Sequence, residues 1–225
     1  MYEKHGKRLL DFSLSLIALL VLSPVLLILS IIGAVSMKGN PFFTQPRPGK
    51  DERIFRLIKF RTMTNETDAE GNLLPDEKRL TRYGAFLRST SWDELPELLN
   101  ILCGDMSIVG PRPQLVRDMV FMTPEQRKRH TVRAGLTGLA QVNGRNNMSW
   151  EQKFAYDLEY IKDISLKNDV RIIWQTVSKV FKREGITEEG MATAEDLGDY
   201  LLHKGEVTQA TYDERQQQAK ELLRI

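Results

Sequence analysis

The sequence has one cysteine and three histidines in 225 residues. A lone Cys103 excludes an internal disulfide and a cysteine-rich metal centre, and it fits a reducing cytosol. It ends a Leu-rich stretch and reads as core packing. His5, His130 and His203 are scattered, so no zinc-ligand or triad spacing exists. There is no Walker-type phosphate loop and no GxGxxG. A strong charge of one sign is also missing. The net charge is +2, which gives no global pull toward nucleic acid, and none is expected as a partner. Basic residues do gather locally, in 47–61, 79–88 and 127–133. Beside a membrane segment, such patches point to anionic lipid or phosphate.

What the sequence does have is one long uncharged run, Phe12–Met37, with Pro24 at its middle. As straight helix its 26 residues would reach about 39 Å at roughly 1.5 Å per residue, enough to span a bilayer. The run is longer than a signal-peptide core of about 7–15 residues, so it reads as an anchor. Pro24 cannot donate to the Leu20 carbonyl and crowds it, which predicts a break or kink. The Ser23 hydroxyl is the nearest partner for the freed backbone. Both flanks are basic: Lys4, Lys7 and Arg8 before, Lys38, Arg47, Lys50 and Arg53 after. Positive charge stays cytoplasmic, so both ends favour one side. A helix that enters, breaks at Ser23-Pro24 and leaves by the same face satisfies both features. A single tilted, kinked span is the alternative.

After the anchor, Pro41–Gln45 and Arg53–Met63 predict a β-hairpin around Arg47-Pro48-Gly49. Thr64–Glu77 is polar and loop-like. The stripe Leu95, Leu98, Leu99 and Leu102 predicts a helix over 92–102, stopped by Gly104. Gly110-Pro111-Arg112-Pro113 is a rigid turn. Thr123 with Gln126, and Ser149 with Gln152, are capping boxes. Gly135–Asn147 has three glycines, too many for regular helix, but few charges for a solvated loop. A helix from Ser149 carries the stripe Trp150, Phe154, Leu158, Ile161. One from Ser165 carries Leu166, Val170, Ile173, Val177, Phe181. Beyond Glu184 the chain turns polar and ends in a predicted helical hairpin, Leu197–His203 and Tyr212–Leu223.

Chemistry concentrates at Ser91-Trp92-Asp93-Glu94. Ser91 and Glu94 can form a capping box; alternatively Asp93 caps, which puts Pro96 in the first turn, where no donor is missed. On either reading two carboxylates share a positive helix end. Such a pair can hold Mg²⁺, and one member can attack phosphorus. Asp157 and Asp169 lie on apolar helix faces, where an unpaired charge is costly. Each is either a buried ion pair or part of a metal or substrate site. Lys59, Arg61, Arg88, Arg112 and Arg145 group as phosphate ligands, Arg being suited to two-pronged contacts. Gln141, Asn143 and Asn146 can hydrogen-bond a base or sugar.

Together these residues resemble the bacterial sugar transferase family, the monotopic phosphoglycosyl transferases. The matching stretches are KRLLDF at 7–12, Ser23-Pro24, FFTQPRPGKDERIFRLIKFRTM at 42–63, LRSTSWDELPELLNIL at 87–102, GDMSIVGPRP at 104–113 and AGLTGLAQVNGRN at 134–146. They are collinear over about residues 1–190.

The fold this implies is mainly α with a small β-hairpin element. It would be a monotopic membrane protein, with an N-terminal re-entrant helix-break-helix and a compact cytoplasmic α/β catalytic domain. The expected division is 1–40 for the membrane segment, 41–190 for the catalytic domain and 191–225 for a C-terminal helical hairpin. The implied reaction moves a phospho-sugar from a UDP-sugar to undecaprenyl phosphate and releases UMP, opening glycoprotein or surface-polysaccharide assembly. By the Asp-Glu match, Asp93 is the nucleophile that forms a covalent phospho-sugar intermediate, and Glu94 is its partner. Mg²⁺ is the implied cofactor, with Asp93, Glu94 and Asp169 as metal residues. Lys59, Arg61, Arg88, Arg112, Gln141, Asn143, Arg145 and Asp157 are substrate residues, and Lys7 and Arg8 meet the lipid phosphate at the interface. The resemblance places the chain in the bacterial cytoplasmic (inner) membrane, facing the cytoplasm, among inner-membrane lipid and downstream glycosyltransferases.

Many members carry Pro and Trp where this chain has Ala134 and Leu139, so no aromatic contact is carried over at 139. The tail from about Ala194 lies outside the family core; it either mediates homo-oligomer association or is a solvated extension. Two other classes compete with the transferase: a Mg²⁺-dependent lipid-phosphate hydrolase, and a non-catalytic module that binds anionic lipid. The Asp93-Glu94 pair beside Arg-rich turns favours catalysis.

Overall fold

The computed structural model describes residues 2–144, 148–182 and 195–224. Arg145 and the expected boundary at 190/191 lie outside them. The described chain is mainly helical, with two small sheets.

A short π-helical turn, Tyr2–Gly6, leads into α1, Lys7–Ser36. This helix is assigned without a break through Pro24. The missing proline N–H leaves the Leu20 carbonyl without its helical donor. The Ser23 hydroxyl donates to that carbonyl at 2.8 Å, so the freed acceptor is satisfied within the same turn. One stripe of α1 is buried: Asp11, Ser15, Leu29 and Gly33. The remaining surface, from Leu9 to Val35, presents leucine, isoleucine, valine and phenylalanine outward. By length and composition the helix is able to cross a membrane.

The strands β1, Phe42–Pro48, and β2, Ile54–Phe60, pair as a two-stranded sheet. The chain divides into two compact units. One holds the first eight residues, Pro46–Arg56 and the chain from Asp105 onward; the other holds Leu9–Gln45 and Leu57–Gly104.

In the Leu9–Gln45/Leu57–Gly104 unit, the second half of α1 is part of the core. Leu29 packs with Phe60 and Leu87, flanked by Val25, Leu26, Phe42, Tyr83 and Leu95. The Phe42 and Phe60 rings stack at 5.4 Å, and the Tyr83 hydroxyl donates to the Leu29 carbonyl at 2.8 Å. Two helices follow the hairpin: α2, Asp76–Arg79, and α3, Arg82–Thr90, whose Thr81 cap accepts from the Gly84 N–H at 2.9 Å. The single helix expected over 92–102 is divided. A 3-10 turn, Trp92–Glu94, precedes α4, Glu97–Cys103, which ends at Gly104 in the left-handed region (φ 95°). Pro96 stands at the N-cap of α4, where a proline removes no hydrogen bond.

The other unit is built on β3, Met106–Val109, and β4, Ala134–Thr137. They pair in parallel, with Met106 opposite Ala134 and Val109 opposite Thr137. A Cβ on Gly135 would come within 2.1 Å of the Gly110 nitrogen. Glycine therefore lets the Gly110–Pro113 turn close on β4. Between the strands lie α5, Val116–Met119, and α6, Pro124–Arg127 with its Thr123/Gln126 capping box. After β4 comes α7, Leu139–Asn143, one turn of helix where irregular chain was expected. The Ser149/Gln152 box starts α8, Trp150–Lys162; α9, Leu166–Lys182, follows. Trp150 and Phe154 join Val116, Met119 and Phe121 in one cluster, and Tyr160 and Ile172 join Val109, Leu139 and Val142 in another. The expected stripe of α9 is divided: Leu166, Val170 and Val177 are exposed, Ile173 packs against the cluster of Tyr160 and Ile172, and Asn168, Asp169 and Ile172 are buried. The C-terminal helices α10, Leu197–His203, and α11, Gln209–Leu222, belong to this unit. Leu197 and Ala219 complete the first of its clusters.

Candidate active site

Lys59, Arg61, Arg88, Asp93 and Glu94 belong to the unit that contains most of α1. Their presentation depends on Ser91. It ends α3 in the left-handed conformation (φ 57°, ψ 22°), with its N–H on the Leu87 and Arg88 carbonyls. Its side chain makes no cap bond to the following turn, so neither capping expectation describes this corner. The left-handed residue reverses the chain at once and leaves the two acids that follow half-buried at the corner. A non-glycine residue there stores strain, which is a recurring feature of functional corners.

Lys59, at the end of β2, reaches this corner. Its Nζ lies 2.7 Å from Glu94 Oε1 and 3.1 Å from Glu97 Oε1. Glu97 is only 3% exposed, so the ammonium offsets a buried negative charge as well as the candidate one. The Asn100 side chain accepts the Ile58 N–H at 3.0 Å, which fixes α4 against β2 and the Lys59–Glu94 spacing with it. Arg88 Nε donates to the Thr62 hydroxyl at 3.1 Å, and Arg61 sits half-buried just beyond β2. Glu97 was missed by the sequence reading. Its signal was its place, one turn after Glu94 on a Leu-rich helix.

Lys7, Arg8, Arg112, Gln141, Asn143, Asp157 and Asp169 belong to the other unit. Asp157 is buried against Arg129, which donates through Nε at 2.8 Å and places Nη2 at 2.7 Å from the same oxygen. Burial raises the Asp157 carboxyl above the usual carboxylate range, against the pull of Arg129. The same Nη2 donates to the Arg112 carbonyl at 2.6 Å, and Arg47 Nη1 donates to the Pro113 carbonyl at 3.1 Å. The turn is thus held by two guanidinium groups while the Arg112 side chain is exposed. Arg129 was also missed; a buried acid on α8 was the sign that a cation had to face it.

Arg112, Arg129 and His130 line a narrow crevice with Pro48, Gly49, Pro111 and Pro113. His130 is buried, its ring nitrogens have no hydrogen-bond partner although Nδ1 stands 3.8 Å from Glu52 Oε1, and burial with Arg129 and Arg127 lowers its pKa to about 3. Gln141 donates to the Leu136 carbonyl at 3.0 Å. Its Oε1 is buried with no hydrogen-bond partner, an open acceptor beside the β4–α7 turn. Asn143 donates to the Leu139 carbonyl at 2.8 Å.

Asp169 takes Lys7 Nζ and the Tyr2 hydroxyl on Oδ2, each at 2.6 Å, and the Tyr160 hydroxyl lies 2.8 Å from Oδ1. Both oxygens are therefore engaged, and the carboxylate holds the N-terminal segment to α9. Among the described residues no group of three or more His, Cys, Asp or Glu side chains is arranged to hold a metal ion. Mg²⁺ asks for less: it keeps several waters and takes one or two carboxylates. The adjacent hard-oxygen donors of Asp93 and Glu94 fit that demand, although Glu94 Oε1 already accepts from Lys59.

Residues 2–183 match the family model for bacterial sugar transferases. A Bacillus subtilis relative, the uncharacterized sugar transferase EpsL, is 49% identical over 191 residues, covering 84% of this chain and 94% of the relative. The UDP-glucose:undecaprenyl-phosphate glucose-1-phosphate transferase of Klebsiella pneumoniae is 39% identical over 185 residues, 78% of this chain. The UDP-galactose-lipid carrier transferase of Erwinia amylovora is 37% identical over 204 residues, 81% of this chain. The chain spans 40% and 42% of those two longer proteins.

Proposed function

This chain belongs to the bacterial sugar transferase family, and we propose that it transfers a sugar-1-phosphate from a UDP-sugar to a polyprenol phosphate, normally undecaprenyl phosphate. The observation that carries this reading is one corner of one compact unit. A half-buried carboxylate pair, Asp93-Glu94, whose Glu94 is held by Lys59, follows directly on α3, and α3 packs through Tyr83 and Leu87 on the apolar helix α1. Chemistry at a lipid phosphate needs that combination of a charged centre and an apolar anchor in one rigid body.

In the first step an Asp93 carboxylate oxygen attacks the β-phosphorus. The phosphoanhydride bond to the α-phosphate breaks, UMP leaves, and the sugar phosphate is held as an acyl phosphate on Asp93. In the second step a lipid phosphate oxygen attacks that phosphorus and the Asp93 carboxylate is released. Lys59 holds Glu94 in place through the 2.7 Å ion pair. Arg61 and Arg88, in the same unit as the acids, contribute the positive field that phosphoryl transfer requires, and Arg112 and Arg145 are carried as further phosphate ligands by the family resemblance alone. Gln141 Oε1, a buried acceptor with no partner, suits an N–H of the nucleobase. Mg²⁺, held by Asp93 and Glu94 when bound, would neutralise diphosphate charge.

The membrane segment is read as re-entrant. Asp11 and Ser15 near one end of α1 and Leu29 and Gly33 near the other are all buried. Protein lies against α1 near both ends, and the basic flanks at each end favour the same, cytoplasmic side of the bilayer. The reaction would be the first membrane step of a bacterial glycoconjugate.

UMP release from a panel of UDP-sugars, with and without undecaprenyl phosphate, tests the activity. Multiple turnovers should require the lipid. Asp93→Asn should abolish both turnover and transfer of labelled phospho-sugar to the protein; retained labelling would remove Asp93 from the nucleophile role. Hydrolysis without acceptor would favour a lipid-phosphate hydrolase instead.

A further inference from the structure

The Lys59 ammonium is shared between two carboxylates of the same compact unit, Glu94 at 2.7 Å and Glu97 at 3.1 Å. The two acids differ in setting. Glu94 ends the 3-10 turn after Ser91, and its side chain is 18% exposed; Glu97 opens α4, and its side chain is 4% exposed. Glu97 also has the firmer footing. One turn further along α4, the buried Asn100 accepts the N–H of Ile58, the residue before Lys59, at 3.0 Å. That bond fixes the start of the Lys59 side chain relative to Glu97. The fit of Mg²⁺ to Asp93 and Glu94 then sets up a conflict. A carboxylate oxygen that holds an ammonium at 2.7 Å cannot take a divalent cation as well without crowding two positive charges. If Lys59 left the corner altogether, Glu97 would lose an ammonium from a buried setting, which is costly. Lysine has the means to stay, with three N–H donors on a flexible four-carbon stem. Glu97 is itself a poor Mg²⁺ ligand, because Mg²⁺ keeps several waters and so buried a carboxylate is cut off from them.

We propose that Glu97 is a positioning residue that retains the Lys59 ammonium when Glu94 turns to a divalent cation. The inference rests on the transferase reading, which puts Mg²⁺ at Asp93 and Glu94. Glu97 touches neither metal nor substrate and acts through Lys59 alone. Its contact with Nζ is already made, so the hand-over consists of giving up the Glu94 contact and keeping the Glu97 one. The site then holds an ammonium and a divalent cation together, where a lone Glu94 would have to choose between them.

The test titrates Mn²⁺, as a stand-in for Mg²⁺, into the substrate-free full chain in detergent and reads the electron paramagnetic resonance of the unbound ion. Glu94→Gln marks the site and should lose the tightest Mn²⁺. Glu97→Met removes both the charge and the acceptor; Glu97→Gln removes the charge and still offers Lys59 a carbonyl oxygen. Both variants keep the Lys59–Glu94 pair and bury no new charge, so both should fold, as thermal unfolding checks. Without Glu97 the ammonium competes harder for Glu94, so Glu97→Met should raise the Mn²⁺ Kd at least about fivefold, with Glu97→Gln between it and wild type. Equal weakening by the two variants assigns the effect to the field of the lost charge and overturns the proposal, as does an unchanged Kd in both. In UMP release, the Mg²⁺ concentration for half-maximal rate should rise in Glu97→Met in step with the Kd. A lower kcat at an unchanged Mg²⁺ requirement leaves Glu97 a purely structural role and also overturns it. Mn²⁺ binding that Glu94→Gln does not disturb takes the metal off Glu94 and the proposal with it. The transferase reading fails separately, through the lipid dependence of UMP release and the labelling of Asp93→Asn.

Discussion

Replacing Arg129 with methionine separates two jobs done by one side chain. Arg129 and Asp157 have side chains 1% and 4% exposed, and the same guanidinium holds the Arg112 carbonyl at 2.6 Å. Arg129→Met leaves a buried carboxylate without its cation, a loss of about 3–5 kcal/mol. For a chain of this size that is about 6–20 °C in Tm. Arg129→Met with Asp157→Leu removes both charges and fills the space, which is often neutral to stability. The double variant should therefore regain most of the Tm in detergent. Its Arg112–Pro113 turn still lacks the Arg129 contact, so UMP release should stay low, with the loss mainly in KM for the UDP-sugar. Thermal unfolding and initial rates on the same preparations decide it. A single variant as stable as wild type, or a double variant with full activity, refutes the argument that Arg129 both neutralises Asp157 and positions Arg112.

Lys59→Met strands Glu97, 3% exposed, beside Glu94 without that ammonium; turnover should fall at least tenfold, about 1.4 kcal/mol, while Lys59→Arg retains part of it. His130 has a folded pKa of about 3, below its unfolded value near 6.5. The unfolded chain binds the proton first as pH falls, so the His130 contribution is complete above about 6.5 and is lost toward 3, at up to ~1.4 kcal/mol per pH unit. His130→Phe should flatten that part of the stability–pH curve, read by thermal unfolding; an unchanged slope rejects it. Gly198→Leu puts a Cβ 2.7 Å from the Phe121 ring, so amide exchange in α10 should accelerate while UMP release persists.

Short-range features were readable from sequence because their partners lie within a turn. The Thr123/Gln126 and Ser149/Gln152 boxes, the Gly104 stop and the Ser23 bond to the Leu20 carbonyl are all of this kind. Features decided by distant packing were not. The stretch LKNDVRIIWQTVSKVF carries apolar residues on both sides of its helix, and which side turns inward depends on the cluster that takes Ile172. The left-handed Ser91 follows from the way α3 closes, with nothing in the residue type to announce it. Glu97 and Arg129 find their partners 38 and 28 residues away (97 − 59 and 157 − 129), beyond any helical spacing. Of the candidate site, Asp93 and Glu94 were named from sequence as candidates, whereas the pairing of Lys59 with Glu94 and Glu97 was not foreseen.

The Asp118 carboxylate, 2% exposed, accepts the Leu115 N–H and the Leu197 N–H, each at 3.0 Å. One oxygen closes the first turn of α5; the other secures α10, beyond the last residue matched by the family. A border drawn at residue 183, where the shared pattern stops, would therefore run through a single hydrogen-bonded carboxylate. It would also strip Leu197 and Ala219 from an apolar cluster that includes Phe121 and Trp150. A chain shortened there would carry a bare greasy surface and an acid with half its partners, both of which invite clumping. In this molecule the family pattern and the packed, hydrogen-bonded unit have different edges, and trimming should follow the second.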